Sequence, residues 1–259
     1  MTFKNIIQFF TKYLTICILM FAFLGCSTGN SKEPSFNPEA SLEKANEKFK
    51  DGYHEEAREL FEEIKAKDGS RKYATIAKLR IADSYLDEEL YDEAAVEYES
   101  FLSVHQFHKY SSYAQYKLAM SYFKRIETID VSSSWAGKAL REFDKLRKNY
   151  PRNPYMDITE SRIKACKRIL AEYEFYVGNF YYKKGSYHAA AERFNGLLKE
   201  YPDTKKESET LFYLGLSYKK MGQNKESIDT FNLLINKFPT IELANEAREQ
   251  MPDLTVKEK

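Results

Sequence analysis

The sequence is poor both in residues that break helices and in residues that build sheets. Its 259 residues include 10 Gly, 7 Pro and five Val, where average usage is about 7% Gly and about 5% Pro. A β-sandwich or a large parallel sheet needs more turn-formers and more β-branched side chains than this. Three cysteines are too few for a disulfide framework. The N-terminal apolar run, Tyr13 to Leu24, is twelve residues long, short of the roughly 20 that a membrane-spanning helix needs. Neither sign of charge dominates: 40 basic side chains face 39 acidic ones, which excludes the bulk positive charge of a nucleic-acid binder. What is abundant is charge overall (31%), hydrophobic residues (43%) and aromatic rings, with 20 Tyr and 18 Phe against one Trp. Such a chain can bury a core. An elongated helical body is expected.

The first 25 residues read as a signal peptide. Lys4 and Lys12 precede the apolar run, and Gly25-Cys26 follows it, which is the basic n-region and h-region pattern of an exported protein. A small residue before a cysteine resembles the bacterial lipobox, in which that cysteine becomes the acylated first residue, Cys26 here. Phe23 and Leu24 depart from the usual lipobox residues. The alternative is an ordinary signal peptide in which Cys26 is incidental. Residues 26–38, rich in Ser, Asn, Gly and Pro, form a tether reaching about 20 Å at random-coil dimensions. Cys17 lies in the removed segment, so Cys166 is left as a lone thiol, expected to be a small apolar core residue.

Beyond the tether the chain repeats. Small residues recur at Ala45, Ala82, Ala119, Gly178 and Gly215, in steps of 37, 37, 59 and 37. A second small residue follows twelve positions later in four units, at Ala57, Ala94, Ala190 and Ser227. In the third unit the partner is Ala139, twenty positions on, which implies an eight-residue insertion. Four residues after each partner stands a ring: Phe61, Tyr98, Phe143, Phe194 and Phe231. Pro151, Pro202 and Pro239 close the last three units.

Two helices cross closely only where bulk is withheld, so paired small residues mark a crossing. A ring one turn later lies on the same face and fills the space beside it. Gly52, Gly185 and Gly222 fall between the helices, where a short helix–helix turn wants glycine, and proline ends the second helix. The pattern resembles the tetratricopeptide repeat, over residues 39 to about 239. It implies an all-α fold, a right-handed superhelix of five helix-turn-helix repeats. Thr240 to Met251 reads as a C-terminal capping helix, and residues 252–259 as a tail. An uninterrupted helical pattern over about 155–184 is expected to bridge the third and fourth units. It divides N-terminal repeats, 39–130, from C-terminal ones, 131–251.

More specific is the stretch Leu170-Ala-Glu-Tyr-Glu, with Tyr181-Tyr-Lys-Lys-Gly185 and Tyr201-Pro-Asp-Thr204. Together with the lipobox-like start and the insertion in the third unit, it resembles the BamD family, tetratricopeptide lipoproteins of the outer-membrane β-barrel assembly (BAM) machinery. The resemblance implies a lipid-anchored protein of the outer membrane, facing the periplasm beside other BAM lipoproteins. It implies C-terminal repeats that bind BamA through the POTRA domain nearest the barrel. It implies N-terminal repeats that receive unfolded outer-membrane proteins. The family's arginine important for communication with BamA falls on Arg193. The alternative is a periplasmic tetratricopeptide chaperone or cell-wall-associated adaptor.

Tetratricopeptide arrays bind extended peptides along the face lined by the first helix of each pair. Positions one, four and five after the small residue are candidates: Asn46, Phe49, Lys50; Asp83, Leu86, Asp87; and Met120, Phe123, Lys124. For Phe49, Leu86 and Phe123 the alternative is packing between repeats. Charge is uneven, with residues 26–130 carrying 15 basic and 21 acidic side chains and residues 131–259 carrying 23 and 18. Nothing in the sequence points to catalysis or to a cofactor. His105-Gln-Phe-His108 lacks carboxylates at ligand spacing, there is no phosphate loop or nucleophile elbow, and Ser161-Arg-Ile-Lys164 matches a Ser-x-x-Lys motif only in spelling.

Overall fold

The computed structural model of the chain describes residues 36–126 and 129–251. Cys26, the signal-peptide segment, most of the tether and the tail lie outside them. The described residues form eleven α-helices and no strand. Five pairs follow one another: α1 (Pro38–Lys50) with α2 (His54–Lys67), α3 (Lys72–Asp87) with α4 (Tyr91–Val104), α5 (Ser111–Lys124) with α6 (Ile129–Asn149), α7 (Met156–Lys183) with α8 (Tyr187–Glu200), and α9 (Glu207–Lys220) with α10 (Asn224–Lys237). A short α11 (Glu242–Gln250) ends the array. Each helix packs on its neighbours in sequence, and α1 also touches α3, as α7 touches α9. This is a stack of tetratricopeptide hairpins.

The register of small residues and rings explains the pairing. Ala45, Ala57, Ala82, Ala94, Ala119, Ala139, Ala190 and Ser227 are fully buried, and so are the rings Phe61, Tyr98, Phe143, Phe194 and Phe231. Gly178 and Gly215 are buried too. A Cβ on Gly178 would stand 2.6 Å from the Phe194 ring, and one on Gly215 would stand 2.5 Å from Phe231. Both are inside any tolerable contact. The ring of the second helix therefore rests directly on the small residue of the first. In the last pair Ser227 Oγ also donates to the Gly215 carbonyl at 2.8 Å.

Turns within four of the pairs share one geometry. Gly52, Gly185 and Gly222 hold φ of 83°, 77° and 75°, the left-handed region that glycine enters at no steric cost. The next N–H then reaches back five residues, Tyr53 to Lys48, Ser186 to Tyr181 and Gln223 to Tyr218, at 2.9–3.0 Å. The second pair makes the same bond, Leu90 N–H to Tyr85 at 2.9 Å, with Glu89 held at φ 62°. A glutamate there hides the turn from a search for glycine.

Units one and two lack the closing proline and end by side-chain bonding. Asp68, 7% exposed, accepts the Tyr73 and Ala74 N–H groups at 2.7 and 2.9 Å, which caps α3. The Ser70 hydroxyl, donating at 2.6 Å, and those N–H groups hold its carboxyl below the usual range. After α4, Ser111 Oγ donates to the His105 and His108 carbonyls at 2.5 and 2.7 Å.

The insertion in the third unit is largely added helix. α6 begins at Ile129, ten residues before Ala139, whereas α2 begins three residues before Ala57. Trp135 lies on this extension, stacked on Tyr122 at 6.1 Å, with the Arg125 and Lys138 cations each 4.2 Å from its ring. α7, 28 residues long, serves two cores. Ile163 and Cys166 pack with Ala119, Ala139 and Phe143, while Ala171 and Phe175 pack with Ala190, Phe194 and Leu197. Burial pushes the Cys166 thiol up to about 12, so it stays protonated. At the far end, Ala247 of α11 covers Phe231 and Leu234.

Replacing Gly178 or Gly215 by Ala should cost about 1–3 kcal/mol, because a methyl collides with a ring that has no room to retreat. Replacing Glu89 by Gly should add about 1 kcal/mol by relieving left-handed strain. Urea denaturation of the three variants measures both effects.

Candidate partner-binding surfaces

The first helices of the N-terminal pairs enclose a cleft of about 340 Å³. Phe49 from α1, Asp83, Leu86 and Asp87 from α3, and Lys124 from α5 all line it, joined by Arg80, Tyr113 and Lys117. Five of the nine groove candidates thus meet in one place. The three additions were legible in part. Arg80 and Lys117 each stand two residues before the small residue of their helix, outside the groove positions that follow it.

Asp83 anchors the floor. Its Oδ1 accepts the Tyr98 and Tyr113 hydroxyls at 2.5 and 2.6 Å, and Oδ2 meets Arg80 Nη1 at 3.1 Å. Arg80 Nε donates to Asn46 Oδ1 at 2.9 Å, while its guanidinium lies 4.3 Å from the centre of the Phe49 ring. Burial, then the neighbouring Asp83 charge, pushes both phenols above their ordinary pKa, so they remain donors to the carboxylate. Four helices are tied together here, α1, α3, α4 and α5, and Arg80 lines the cleft. At the rim Asp87 Oδ2 lies 3.2 Å from His54 Nε2, and Lys124 is exposed.

The other candidates lie elsewhere. Asn46 and Lys50 line a neighbouring cleft of about 570 Å³ with Leu42 and Tyr73. Met120 and Phe123 pack at the edge of the third-repeat core. Phe123 meets Phe143 edge-on at 6.3 Å, and the Arg162 guanidinium sits 4.8 Å from the Phe123 ring centre.

Arg193 stands on α8, half-exposed, with Nη1 3.2 Å from Glu174 Oε2 on α7. The two border a cleft of about 410 Å³ with Glu192, Gly196, Glu200 and Tyr201. An ion pair this exposed contributes under about 1 kcal/mol to stability. The cleft offers one cation among three carboxylates.

Among the described residues no group of three or more His, Cys, Asp or Glu could hold a metal ion. The His105 and His108 rings pack on Phe101, at 4.9 and 6.0 Å. No helix among these residues is long and apolar enough to cross a membrane. Repeated hairpins carrying rings, cations and carboxylates over open clefts define a tetratricopeptide interaction scaffold.

A family model described as YfiO, outer membrane lipoprotein, matches residues 35–229. The chain belongs to that family. It is 27% identical over 212 residues to the outer membrane protein assembly factor BamD of Haemophilus influenzae, covering 77% of this chain and 80% of that one. Its likeness to BamD of Vibrio cholerae is 24% over 212 residues, covering 77% and 88%. To BamD of Neisseria meningitidis serogroup B it is 26% over 216 residues, covering 77% and 81%.

Asp83→Ala should cost about 3 kcal/mol, because one buried hydroxyl, one half-buried hydroxyl and a guanidinium lose their acceptor together. Exposed Lys50 and Lys124, changed to Ala, should shift stability by less than about 0.5 kcal/mol. Parallel urea curves separate the supporting residue from the two available for ligands.

Proposed function

We propose that this chain is a non-enzymatic outer-membrane lipoprotein, acylated on Cys26 and facing the periplasm, that joins unfolded outer-membrane proteins to BamA. It works within the BAM complex beside the other BAM lipoproteins. The observation that carries this reading is the Arg193–Glu174 pair. Glu174 ends the Leu170-Ala-Glu-Tyr-Glu stretch, and its carboxylate lies 3.2 Å from the guanidinium, so family-like motif and family-like arginine meet in one cleft. That cleft belongs to the C-terminal repeats, 131–251, and is the surface assigned to the BamA POTRA domain nearest the barrel.

The inner cleft belongs to the N-terminal repeats, 39–130, and is assigned to clients. Phe49, Leu86 and Tyr113 offer apolar contact, while Arg80, Lys117 and Lys124 offer cations to a carboxylate. An extended client segment ending in an aromatic residue and a free carboxylate satisfies both chemistries. The other reading, a periplasmic chaperone or cell-wall adaptor, needs client or peptidoglycan binding without BamA.

Pulldown of the protein from detergent-solubilised envelopes should recover BamA, and Arg193→Glu should reduce recovery at least about tenfold, as expected when one partner of an interface charge pair is reversed. Recovery of clients without BamA overturns the assignment in favour of the chaperone reading. Separately, Cys26→Ser should move the protein from the membrane pellet to the soluble fraction, and persistent sedimentation with membranes would show another anchor.

A further inference from the structure

The Arg193 cleft has a counterpart one repeat earlier. A cleft of about 370 Å³ opens between α4 and α6, with Gln115 and Leu118 of α5 at its base. Counted from the small residues of each repeat, its walls match those of the Arg193 cleft. Gln115 and Glu174 both stand four before the first small residue, Glu142 and Arg193 three after the second, and Tyr150 and Tyr201 eleven after it. The paired residues bond across the hairpin in both. Gln115 Nε2 donates to Glu142 Oε2 at 2.9 Å, as Arg193 pairs with Glu174. The sign at the central position is reversed, a carboxylate where the later repeat has a guanidinium.

We infer that this cleft is a second protein-docking site, distinct from the Arg193 surface, and that it takes a basic side chain from a cationic partner segment. Four observations converge on that chemistry. The Glu142 side chain is 9% exposed and already neutralised by Lys145 Nζ at 2.9 Å, yet Lys145 itself is 57% exposed. That cation lies on the surface, where an incoming lysine or arginine can replace it. Glu99 lines the same cleft as a second acceptor. The flanking helix α4 carries Asp92, Glu93, Glu97 and Glu99 and has neither Lys nor Arg; Asp92 is paired with Arg125, and the other three carboxylates leave a field that attracts cations. Finally, Phe107 is 95% and Val104 69% exposed, and the loop holding Phe107 is fastened to the cleft wall by Tyr150 OH donating to the Gln106 carbonyl at 2.9 Å. Phe107 follows Gln106, which lines the cleft, so an exposed ring is available next to the cleft rim for apolar contact with a docked segment. Neither feature depends on what binds Arg193.

The test uses the full-length protein and two fluorescein-labelled hexapeptides, Leu-Lys-Ala-Arg-Leu-Lys and the same sequence with Glu at each basic position. The basic peptide should bind, perturb the Gln115 side-chain amide resonance, and lose affinity with added salt. Lys145→Ala should tighten binding about fivefold by removing the competing cation, and Glu142→Gln, which keeps the hydrogen bond to Gln115, should weaken it about tenfold. Arg193→Ala should leave it unchanged, which separates failure here from failure of the BamA assignment. Equal binding of the acidic peptide, weaker binding by the Lys145→Ala variant, or perturbation confined to the Phe49–Lys124 cleft would each overturn the inference, as would no binding at all.

Discussion

The array depends on one contact, seen directly in the fourth and fifth pairs, in which an aromatic ring of the second helix presses on a residue of the first that has almost no side chain. A ring buries much apolar area, but only if the opposing backbone lets it approach. Glycine gives that approach in the fourth and fifth pairs, Ala82 and Ala119 share a core with Tyr98 and Phe143 in the second and third, and Ala45 and Phe61 are both fully buried in the first. Repeating the contact fixes each hairpin, and stacking hairpins leaves every first helix on one side. Clefts between first helices and clefts between second helices are then geometric by-products of the same register, which is why the binding surfaces recur with it.

Much of this was readable from the chain. Spacing alone located the crossing residues, the rings and three of the turns, because close packing admits few residue types at those points. The fourth turn was hidden by Glu89, whose left-handed backbone is held by the surrounding hairpin and not by its own preference. The insertion was counted correctly but not its form. Its residues continue α6 toward the N-terminus, and Trp135 on that extension docks against Tyr122.

The candidate sites were legible to a lesser degree. Asp83 looks like a ligand-facing charge in a helical register, yet three donors from three helices occupy it. Arg80 is an i,i+3 neighbour on the same helix, but Tyr98 and Tyr113 arrive from distant positions, and no local pattern encodes that occupancy. Met120 and Phe123 share the groove register but face the third-repeat core, because α7 runs past them and covers what would otherwise be open. Arg80 and Lys117 show the opposite: they precede the small residue and still reach the cleft.

The long α7 has a mechanical consequence. At 1.5 Å per residue, its 28 residues make a rod of about 42 Å. Its two ends are embedded in different cores, and no proline interrupts it. A hairpin array ordinarily melts piecemeal, unit by unit from its ends. Here the third and fourth units share one continuous helix, so the hinge that would let one unit detach from the next is replaced by intact helical backbone.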